Sequence, residues 1–337
     1  MKKRIILFQI VFCILSGTAF SYSSFKDVFQ LKEMITLSPS IFLGSIHDCA
    51  VDREKNIWIA DSRKFDIKKI DKYGNFLFSL GRKGQGPGEF LFPSGICIKG
   101  DEIYVVDPRR RDLQVFQKDG KYRYSFKIQD GRFIKLSSKG YIVISAPLIE
   151  GERKSSCIHL YDNKGKKLKS FLPISDFALK NHLISDGVFF DIDSHDNIYT
   201  IQEMDYTIYK FTHEGNFLKF FSKRNFYYTP PPDKPFKEFY SRAALTKWIE
   251  SWVHIVDIKI VNKFLIVNLY KPNPEQYILD IYDLEGNFIV GGLNPDGRLV
   301  CSDDDKLYFL KEEEKGSETI YKLLKFSIKV DRLKSFK

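Results

Sequence analysis

The stretch DREKNIWIADSRKFDIKKIDKYG, from Asp52 to Gly74, decides the fold of this chain. It contains a strongly apolar strand (IWIAD), a short loop, another strand that begins near Ile67, and a turn that ends in glycine. The same succession returns in DEIYVVDPRRRDLQVFQKDG, from Asp101 to Gly120. Tight hairpin turns need a positive φ, which glycine adopts without the steric cost that other residues carry. The glycine therefore marks the last turn of a repeated antiparallel unit.

Similar units recur along most of the chain. Their turn glycines are 46, 45, 50 and 71 residues apart, at Gly74, Gly120, Gly165, Gly215 and Gly286. The apolar strand of each unit reads IWIAD (57–61), IYVVD (103–107), YIVIS (141–145), IYTIQ (198–202), FLIVN (264–268) or LYFLK (307–311). A period of 40 to 50 residues with four short strands per unit is typical of propeller blades. The sequence therefore predicts an all-β, six-bladed β-propeller of four-stranded antiparallel blades.

The sixth unit lacks a fourth strand of its own. The segment Met34 to Leu43 is extended, apolar and otherwise unassigned. We therefore predict that this N-terminal segment supplies the outer strand of blade 6. Pairing of that kind closes the ring and removes an exposed sheet edge. The expected domain is one propeller over residues 22–337.

The repeats resemble a known family. Asp52-x-x-x-Asn56-Ile57-Trp58-Ile59-Ala60-Asp61 with Gly74 resembles an NHL-type repeat, and so does Ile103 to Asp107 with Gly120. The stretch GRKGQGPGEFLFPSG, from Gly81 to Gly95, is similar to the inter-blade linker of bacterial exported six-bladed propellers. The resemblance implies the fold and says little about activity, because propellers support many unrelated functions.

The N-terminus has the composition of an export signal. Lys2, Lys3 and Arg4 precede an apolar run that ends at Leu15, and small residues follow in a Gly17-x-Ala19 pattern. We predict a signal peptide over residues 1–21, with an uncleaved anchor as the alternative, and a periplasmic or extracellular protein. No later segment is apolar enough to cross a bilayer.

Composition narrows the class of partner. Hydrophobic residues make up 43% of the chain and charged residues 28%, which excludes a disordered chain. Without the three cations of the signal, the formal net charge falls from +10 to +7. A basic exported protein favours anionic ligands, whereas nucleic acid is not an expected partner. We expect a monomer.

Four cysteines follow the signal, none in a CxxC pair, and we expect buried thiols rather than disulfides.

Antiparallel geometry assigns the loops to two faces. If the strands of a blade are A to D from the inside outwards, the A–B and C–D turns share one face, and the B–C and D–A connections share the other. The A–B and C–D turns are short and uniform, whereas the B–C and D–A connections vary, which is typical of a binding face. The longest insertion, residues 222–252, joins blades 4 and 5. The spacing of its apolar residues predicts a helix over Phe236 to Trp252, which acts as a cap or a lid.

Polar residues of the first strands should face the central channel. Asp191 and Asp257 fall at one level in neighbouring blades, and Asp48 belongs to the same polar set. These carboxylates are candidate ligands for a hard cation such as Ca²⁺. Lys135 lies at the same level and could neutralise Asp191 instead. We expect no cofactor, with hydrated channel charge as the preferred interpretation.

Basic residues gather on the variable face of blades 1 and 2. They are Arg63, Lys64, Arg82, Arg109, Arg110 and Arg111, and we expect Arg132, His47 and His254 nearer the channel mouth. A solvent-exposed rim of charged residues with no binding role would also explain their presence. As a functional hypothesis, they form a binding site for an anionic ligand or an acidic partner.

Two functions follow from these patterns. The first is an exported, non-catalytic propeller that binds a protein, a glycan or a small anionic ligand on the D–A/B–C face. The alternative is a metal-dependent hydrolase or lyase of the gluconolactonase or peptide-lyase type, with its site at the channel mouth. The sequence has no GxSxG, HExxH or phosphate-loop motif.

Overall fold

The computed structural model describes residues 23–128, 131–146, 156–181, 187–223, 225, 227–233, 241–316 and 318–334. Within them, six four-stranded antiparallel sheets are arranged as the six blades of a propeller. This confirms the predicted fold class. The predicted signal peptide, residues 1–21, lies outside the described residues.

The first three blades each take four consecutive strands, in order from the channel outwards. Blade 1 consists of β2 (Ile46–Val51), β3 (Ile57–Asp61), β4 (Asp66–Ile70) and β5 (Phe76–Leu80). Blade 2 consists of β6 (Gly95–Lys99), β7 (Glu102–Asp107), β8 (Asp112–Gln117) and β9 (Tyr122–Lys127). Blade 3 consists of β10 (Phe133–Leu136), β11 (Ile142–Ser145), β12 (Ser156–Tyr161) and β13 (Lys167–Pro173).

Blades 4 and 5 follow the same rule, and blade 6 borrows one strand from the N-terminus. Blade 4 consists of β14 (Val188–Ile192), β15 (Ile198–Gln202), β16 (Asp205–Phe211) and β17 (Phe217–Phe221). Blade 5 consists of β18 (His254–Val261), β19 (Phe264–Pro272), β20 (Glu275–Asp283) and β21 (Phe288–Leu293). Blade 6 consists of β22 (Arg298–Ser302), β23 (Lys306–Lys315), β24 (Glu318–Ile328) and β1 (Phe29–Thr36). The acidic residues Glu312 to Glu314 belong to β23.

The core lies between neighbouring blades. Every residue of β3 is buried, whereas the outer strand β5 is mostly exposed. Trp58 and Ile67 of blade 1 pack in one cluster with Ile96 and Ile103 of blade 2. The apolar second strands of the sequence repeat are therefore buried because both of their faces meet another sheet.

Ring closure occurs as predicted, with different bounds. The closing strand is β1, Phe29–Thr36, which pairs antiparallel with β24 from Phe29↔Ile328 to Thr36↔Lys322. Residues 37–43 of the predicted segment form no strand. Leu37, Ile41 and Leu43 are buried between blades 6 and 1, so the apolar character there reflects the seam rather than strand pairing.

Four short helices complete the described chain: α1 (Phe25–Val28), α2 (Asp176–Lys180), α3 (Arg242–Ile249) and α4 (Val330–Lys334). Helix α3 confirms a helical insertion between blades 4 and 5. The predicted start at Phe236 lies outside the described residues, and Trp252 follows the helix. Ser241 caps α3 by accepting a hydrogen bond from Ala244 N at 3.1 Å. None of the helices in the described part of the chain is long and apolar enough to cross a membrane.

The A–B turns satisfy their own polar groups. In blade 1 the Asp52 carboxylate accepts hydrogen bonds from Asn56 N at 2.8 Å and from Trp58 Nε1 at 3.0 Å. In blade 4 Asp193 accepts from Asn197 N at 2.9 Å and from the Tyr199 hydroxyl at 3.3 Å. The aspartate of the repeat therefore ties the turn to a buried aromatic side chain two residues beyond the asparagine.

Candidate functional site

A cavity of about 190 Å³ lies at the channel mouth on the D–A/B–C face. Its walls come from the starts of the inner strands of blades 1, 5 and 6 and from the B–C end of blade 5. The lining residues are Ile46, His47, Asp48, Phe133, Val256, Asp257, Lys259, Asn268, Tyr270, Tyr277, Arg298, Leu299 and Val300. The variable face predicted from the sequence thus holds a pocket of the size of a small metabolite, equivalent to about six waters of ~30 Å³ each.

Arg298 is the cation that dominates the upper wall of this cavity. It starts β22, and no carboxylate of the described residues lies within ion-pair distance of its guanidinium. His47 lines the same cavity, with its ring 4.7 Å from that of Phe92. Burial lowers the pKa of His47 to about 4, and the neighbouring Arg132 and Arg298 add to this effect. The mouth is therefore cationic through arginine, whereas His47 is neutral at pH 7.

The floor of the channel consists of paired charges. Lys259 Nζ lies 2.7 Å from Asp257 Oδ2, and Lys135 Nζ lies 3.1 Å from Asp191 Oδ1. Burial works against the charge of Lys135, but Asp191 outweighs it and raises the lysine pKa. The neutralisation of Asp191 by Lys135, considered from the sequence, is confirmed by this contact.

The carboxylates considered as cation ligands also bond to backbone groups. Asp48 Oδ2 accepts from Ile96 N at 3.0 Å, and Asp191 Oδ2 accepts from Ile260 N at 2.8 Å. Both bonds join an inner strand to that of the next blade. Burial raises the pKa of Asp48, although Lys259 and Lys135 oppose this. Across the described ranges, no group of three or more His, Cys, Asp and Glu side chains is arranged to hold a metal ion.

Asn268 is a site residue that sequence reasoning missed. It lies in the buried part of β19 in blade 5 and lines the cavity, and it is 1% exposed. Its Oδ1 has no hydrogen-bond partner in the described structure. A buried amide oxygen without a donor is costly, at about 1–3 kcal/mol, unless a ligand or water supplies one.

The position of Asn268 in the repeat makes that orphan oxygen informative. The equivalent residues of blades 1 and 2 are Asp61 and Asp107, which end β3 and β7. Asp61 accepts hydrogen bonds from Gly44 N and Ser45 N, and Asp107 accepts from the two backbone amides of residues 91 and 92. These two carboxylates are thus acceptors for the backbone of the preceding loop. In blade 5 the same position is directed to the cavity instead.

Tyr270 and Tyr277 form an aromatic wall of the cavity, with ring centroids 5.1 Å apart. They are cross-strand partners in the β19–β20 hairpin, whose strands are longer than the corresponding strands of blade 1. In the sequence this hairpin reads LYKPNPEQY, with a tyrosine on each side of its two prolines. The cavity thus combines an aromatic wall, an arginine and an amide.

The predicted basic sector divides into two groups. Arg63, Lys64, Arg82 and Arg109 are exposed on the D–A/B–C face. Arg110 is buried: its guanidinium lies 2.8 Å from Asp112 Oδ2, and its Nη1 donates to Gly84 O at 3.3 Å. Arg110 therefore fixes the inter-blade linker to blade 2 and is a structural residue. Arg111 has a positive φ of 53° in the loop.

Of the three residues expected near the channel mouth, His47 lines the cavity, Arg132 lies close to His47, and His254 lies behind the lining with its ring 6.5 Å from that of Tyr270. Arg132 contributes to the electrostatic field at His47, and its guanidinium stacks 5.4 Å from the Phe133 ring. His254 is 7% exposed and does not line the cavity. Its Nε2 lies 2.8 Å from Ile249 O and its Nδ1 3.1 Å from Glu203 Oε1. The histidine therefore ties the end of α3 to blade 4, because the insertion folds back over the start of β18.

A second cavity of about 640 Å³ lies between blades 3 and 4 on the same face. Pro173, Phe177, Gln202, Tyr209 and Pro231 are among its lining residues. Pro230 and Pro231 also line it, and Trp248 Nε1 donates to Pro232 O at 3.2 Å, which joins α3 to this proline-rich segment. It is more apolar than the channel mouth and contains none of the predicted basic residues.

Comparisons with known proteins agree with this architecture. A 128-residue segment is 25% identical to the protein brain tumor of Drosophila melanogaster, covering 36% of this chain and 12% of that protein. The chain therefore spans about an eighth of the length of that curated relative.

Solved structures resemble the whole propeller. A candidate exported protein from Bacteroides fragilis is 14% identical with a TM-score of 0.68, covering 92% of this chain and 98% of that one. A member of the duf4221 family from Bacteroides vulgatus is 12% identical with a TM-score of 0.67, covering 90% and 99%. Virginiamycin B lyase of Staphylococcus aureus, crystallised with quinupristin, is 13% identical with a TM-score of 0.52, covering 83% and 80%.

At these identities the structures show the fold alone. A family model described as 6-bladed beta-propeller, DUF5128, matches residues 14–286, which is most of the chain. The chain belongs to this family of six-bladed β-propellers.

Proposed function

We propose that this protein is an exported, non-catalytic propeller that binds a small anionic ligand in the cavity at the channel mouth. The observation that carries the proposal is the juxtaposition in one pocket of Arg298, which attracts an anionic group, and the unpartnered Asn268 oxygen, which can accept a hydrogen bond from a hydroxyl of the same ligand. A half-buried cation without a carboxylate partner is stabilised by an anionic ligand, and the floor carboxylate Asp257 is already paired with Lys259.

The remaining lining residues support a small organic anion. Tyr270 and Tyr277 offer an aromatic surface, and neutral His47 can accept or donate one hydrogen bond at pH 7. Concave sites with an apolar wall and a few convergent polar groups are typical of small-molecule binding. The cavity volume favours a ligand of metabolite size over a protein loop or a glycan chain.

Binding is favoured over metal-dependent catalysis by the state of the channel carboxylates. Asp191 and Asp257 are neutralised by lysine, and Asp48 accepts backbone hydrogen bonds. A metal ligand set would have to break these contacts. The likeness to virginiamycin B lyase is a likeness of fold and does not alter this argument.

Export is part of the proposal. Its support is the basic and apolar pattern of residues 1–21 and the exported description of the Bacteroides fragilis neighbour. The NHL-type character of the repeats is likewise proposed, on the Asp52 to Asp61 motif and the partial match to the protein brain tumor.

A thermal-shift panel of sulfate, phosphate, acetate and D-glucuronate tests the function. A ligand at a hundredfold excess over its Kd should stabilise the protein by about 2.7 kcal/mol. Arg298→Ala should reduce that stabilisation to about 0.4–1.4 kcal/mol, whereas Arg82→Ala, an exposed cation of the same face, should retain it in full. A silent panel, or a shift that is undiminished in Arg298→Ala, contradicts the proposal.

A further inference from the structure

The seam where the first and last blades meet contains two cysteines in contact. Cys49 lies in β2 of blade 1 and Cys301 in β22 of blade 6, 252 residues apart in sequence. Their Sγ atoms are 2.6 Å apart. The described cysteines are thiols in this structure, and no spacing in the sequence indicated that these two meet.

The surroundings of the pair hold the two sulfurs together. Both residues are buried, in one cluster with Ile57, Ile59 and Tyr308. Cys49 pairs with Ile59 in the blade 1 ladder, and Cys301 pairs with Tyr308 in the blade 6 ladder. Each sulfur is thus fixed by its own sheet, and the two sheets bring them into contact.

We propose that Cys49 and Cys301 form a disulfide that closes the ring covalently at its inner end. The outer end of the same seam is closed by the pairing of β1 with β24. On the A–B face, Lys55 Nζ of blade 1 lies 2.8 Å from Asp303 Oδ2 of blade 6. The disulfide would add a covalent link to a seam that is otherwise held by non-covalent contacts.

The chemistry requires an exchangeable disulfide as the oxidant, such as a protein disulfide oxidoreductase or oxidised glutathione. One cysteine thiolate attacks the oxidant and forms a mixed disulfide, and the second then displaces it. The S–S bond of the oxidant breaks, the Cys49–Cys301 bond forms, and two electrons and two protons pass to the oxidant as a dithiol. Since both sulfurs are buried in the closed ring, we expect the exchange while the seam is open during folding.

Export supports this reaction, because disulfides persist in oxidising compartments and are rare in the cytosol. A link between residues 252 positions apart removes much conformational freedom from the unfolded chain. The inference depends on export and is independent of the proposed ligand.

Peptide mapping under non-reducing conditions tests the link. Trypsin releases Cys49 in residues 33–53 and Cys301 in residues 299–306. We expect these peptides joined, with the mass of two hydrogens missing, in full-chain protein expressed through an export pathway or refolded with oxidised glutathione. Recovery of both peptides with alkylated thiols, or a link to Cys97 or Cys157, would overturn the proposal.

A second measurement uses the difference in Tm with and without reductant. The wild type and Cys97→Ser should lose about 5 °C or more on reduction, whereas Cys49→Ser and Cys301→Ser should show no such difference. Each variant serves as its own reference, so a general loss of stability does not confuse the result. Equal Tm values for the wild type in both conditions would contradict the disulfide.

Discussion

The two faces of this propeller treat their polar groups differently. On the A–B/C–D face, the carboxylates of Asp52 and Asp193 accept hydrogen bonds within the turns that contain them. On the D–A/B–C face, Arg298 has no carboxylate partner in the described chain, and Asn268 leaves an oxygen unbonded. Asp61 and Asp107 on this second face are satisfied by backbone amides, so the contrast lies between the turns of the first face and the sector of blades 5 and 6 on the second.

The largest expected effect separates two neighbouring cations of the variable face. Arg110→Ala should cost about 3 kcal/mol, because it leaves the buried Asp112 carboxylate with only the more distant Lys127, whose Nζ is 3.8 Å away. Arg109→Ala, at an exposed arginine that stacks on Phe92, should change stability by about 0.5 kcal/mol or less. Urea denaturation measures both. Equal losses would show that the loop cations cannot be divided in this way.

Removing a turn carboxylate from the opposite face should also destabilise the fold. Asp52→Ala leaves the buried Trp58 Nε1 without an acceptor, and we expect a loss of about 3 kcal/mol with no effect on anion affinity. Asp71→Ala is the matched control, since the same Asp-x-x-x-Asn turn is exposed there and lacks the tryptophan. A comparable loss in both variants would show that the hydrogen bond from Trp58 to Asp52 does not account for the destabilisation.

Lowering the pH should reduce the stability that the turns of the A–B/C–D face contribute. Although burial opposes it, hydrogen bonds from Trp58 and Asn56 lower the pKa of Asp52. The stabilisation is therefore present above the ordinary carboxylate pKa of about 3.9 and is lost as pH falls through the lower folded value. Asp52→Ala should show a shallower loss of stability between pH 5 and 2 than the wild type, and a parallel profile would contradict the assignment.

At the cavity, Arg298→Ala should lower affinity for the bound anion by about 10- to 100-fold, or about 1.4–2.7 kcal/mol. Asn268→Leu removes the orphan oxygen and keeps the volume, so affinity for an anion with hydroxyl donors, such as D-glucuronate, should fall while stability holds or rises. Calorimetry and urea denaturation of the same samples separate the two quantities. Unchanged affinity in the asparagine variant would exclude its oxygen from the site.

The protonation of His47 should add a smaller, pH-dependent effect. Burial lowers its pKa to about 4, and a bound anion favours the imidazolium and raises that value. Affinity for sulfate, which stays anionic, should therefore be flat from pH 8 to 6 and rise about fivefold as pH falls towards 4. His47→Gln should remove the rise, and a rise that persists in this variant would place the proton elsewhere.

The smallest effect concerns the exposed rim. Replacing Arg63, Lys64 and Arg109 together by Ala should reduce anion affinity by less than about threefold at low salt and leave it unchanged at 0.15 M, because screening acts over about 8 Å there. A tenfold loss at both salts would move the site from the cavity to the rim.

The repeat allowed the fold to be predicted, because burial on both faces makes strands such as IWIAD stand out. The closing strand was misplaced because an outer strand exposes most of its residues, so FQLKEMIT has little apolar pattern. At the site, His47 was found by its register. Arg298 and Asn268 were missed as ligand-binding residues. What marks them in the described structure is that Arg298 has no carboxylate partner and the Asn268 oxygen has no donor, and a sequence does not show such missing contacts.

Isothermal titration of the strongest anion of the panel into the wild type, Arg298→Ala and Arg109→Ala tests the central claim most directly. The account predicts one site per chain, an affinity loss of at least about tenfold in Arg298→Ala, and wild-type affinity in Arg109→Ala at 0.15 M salt. Binding that survives Arg298→Ala and fails in Arg109→Ala would contradict it.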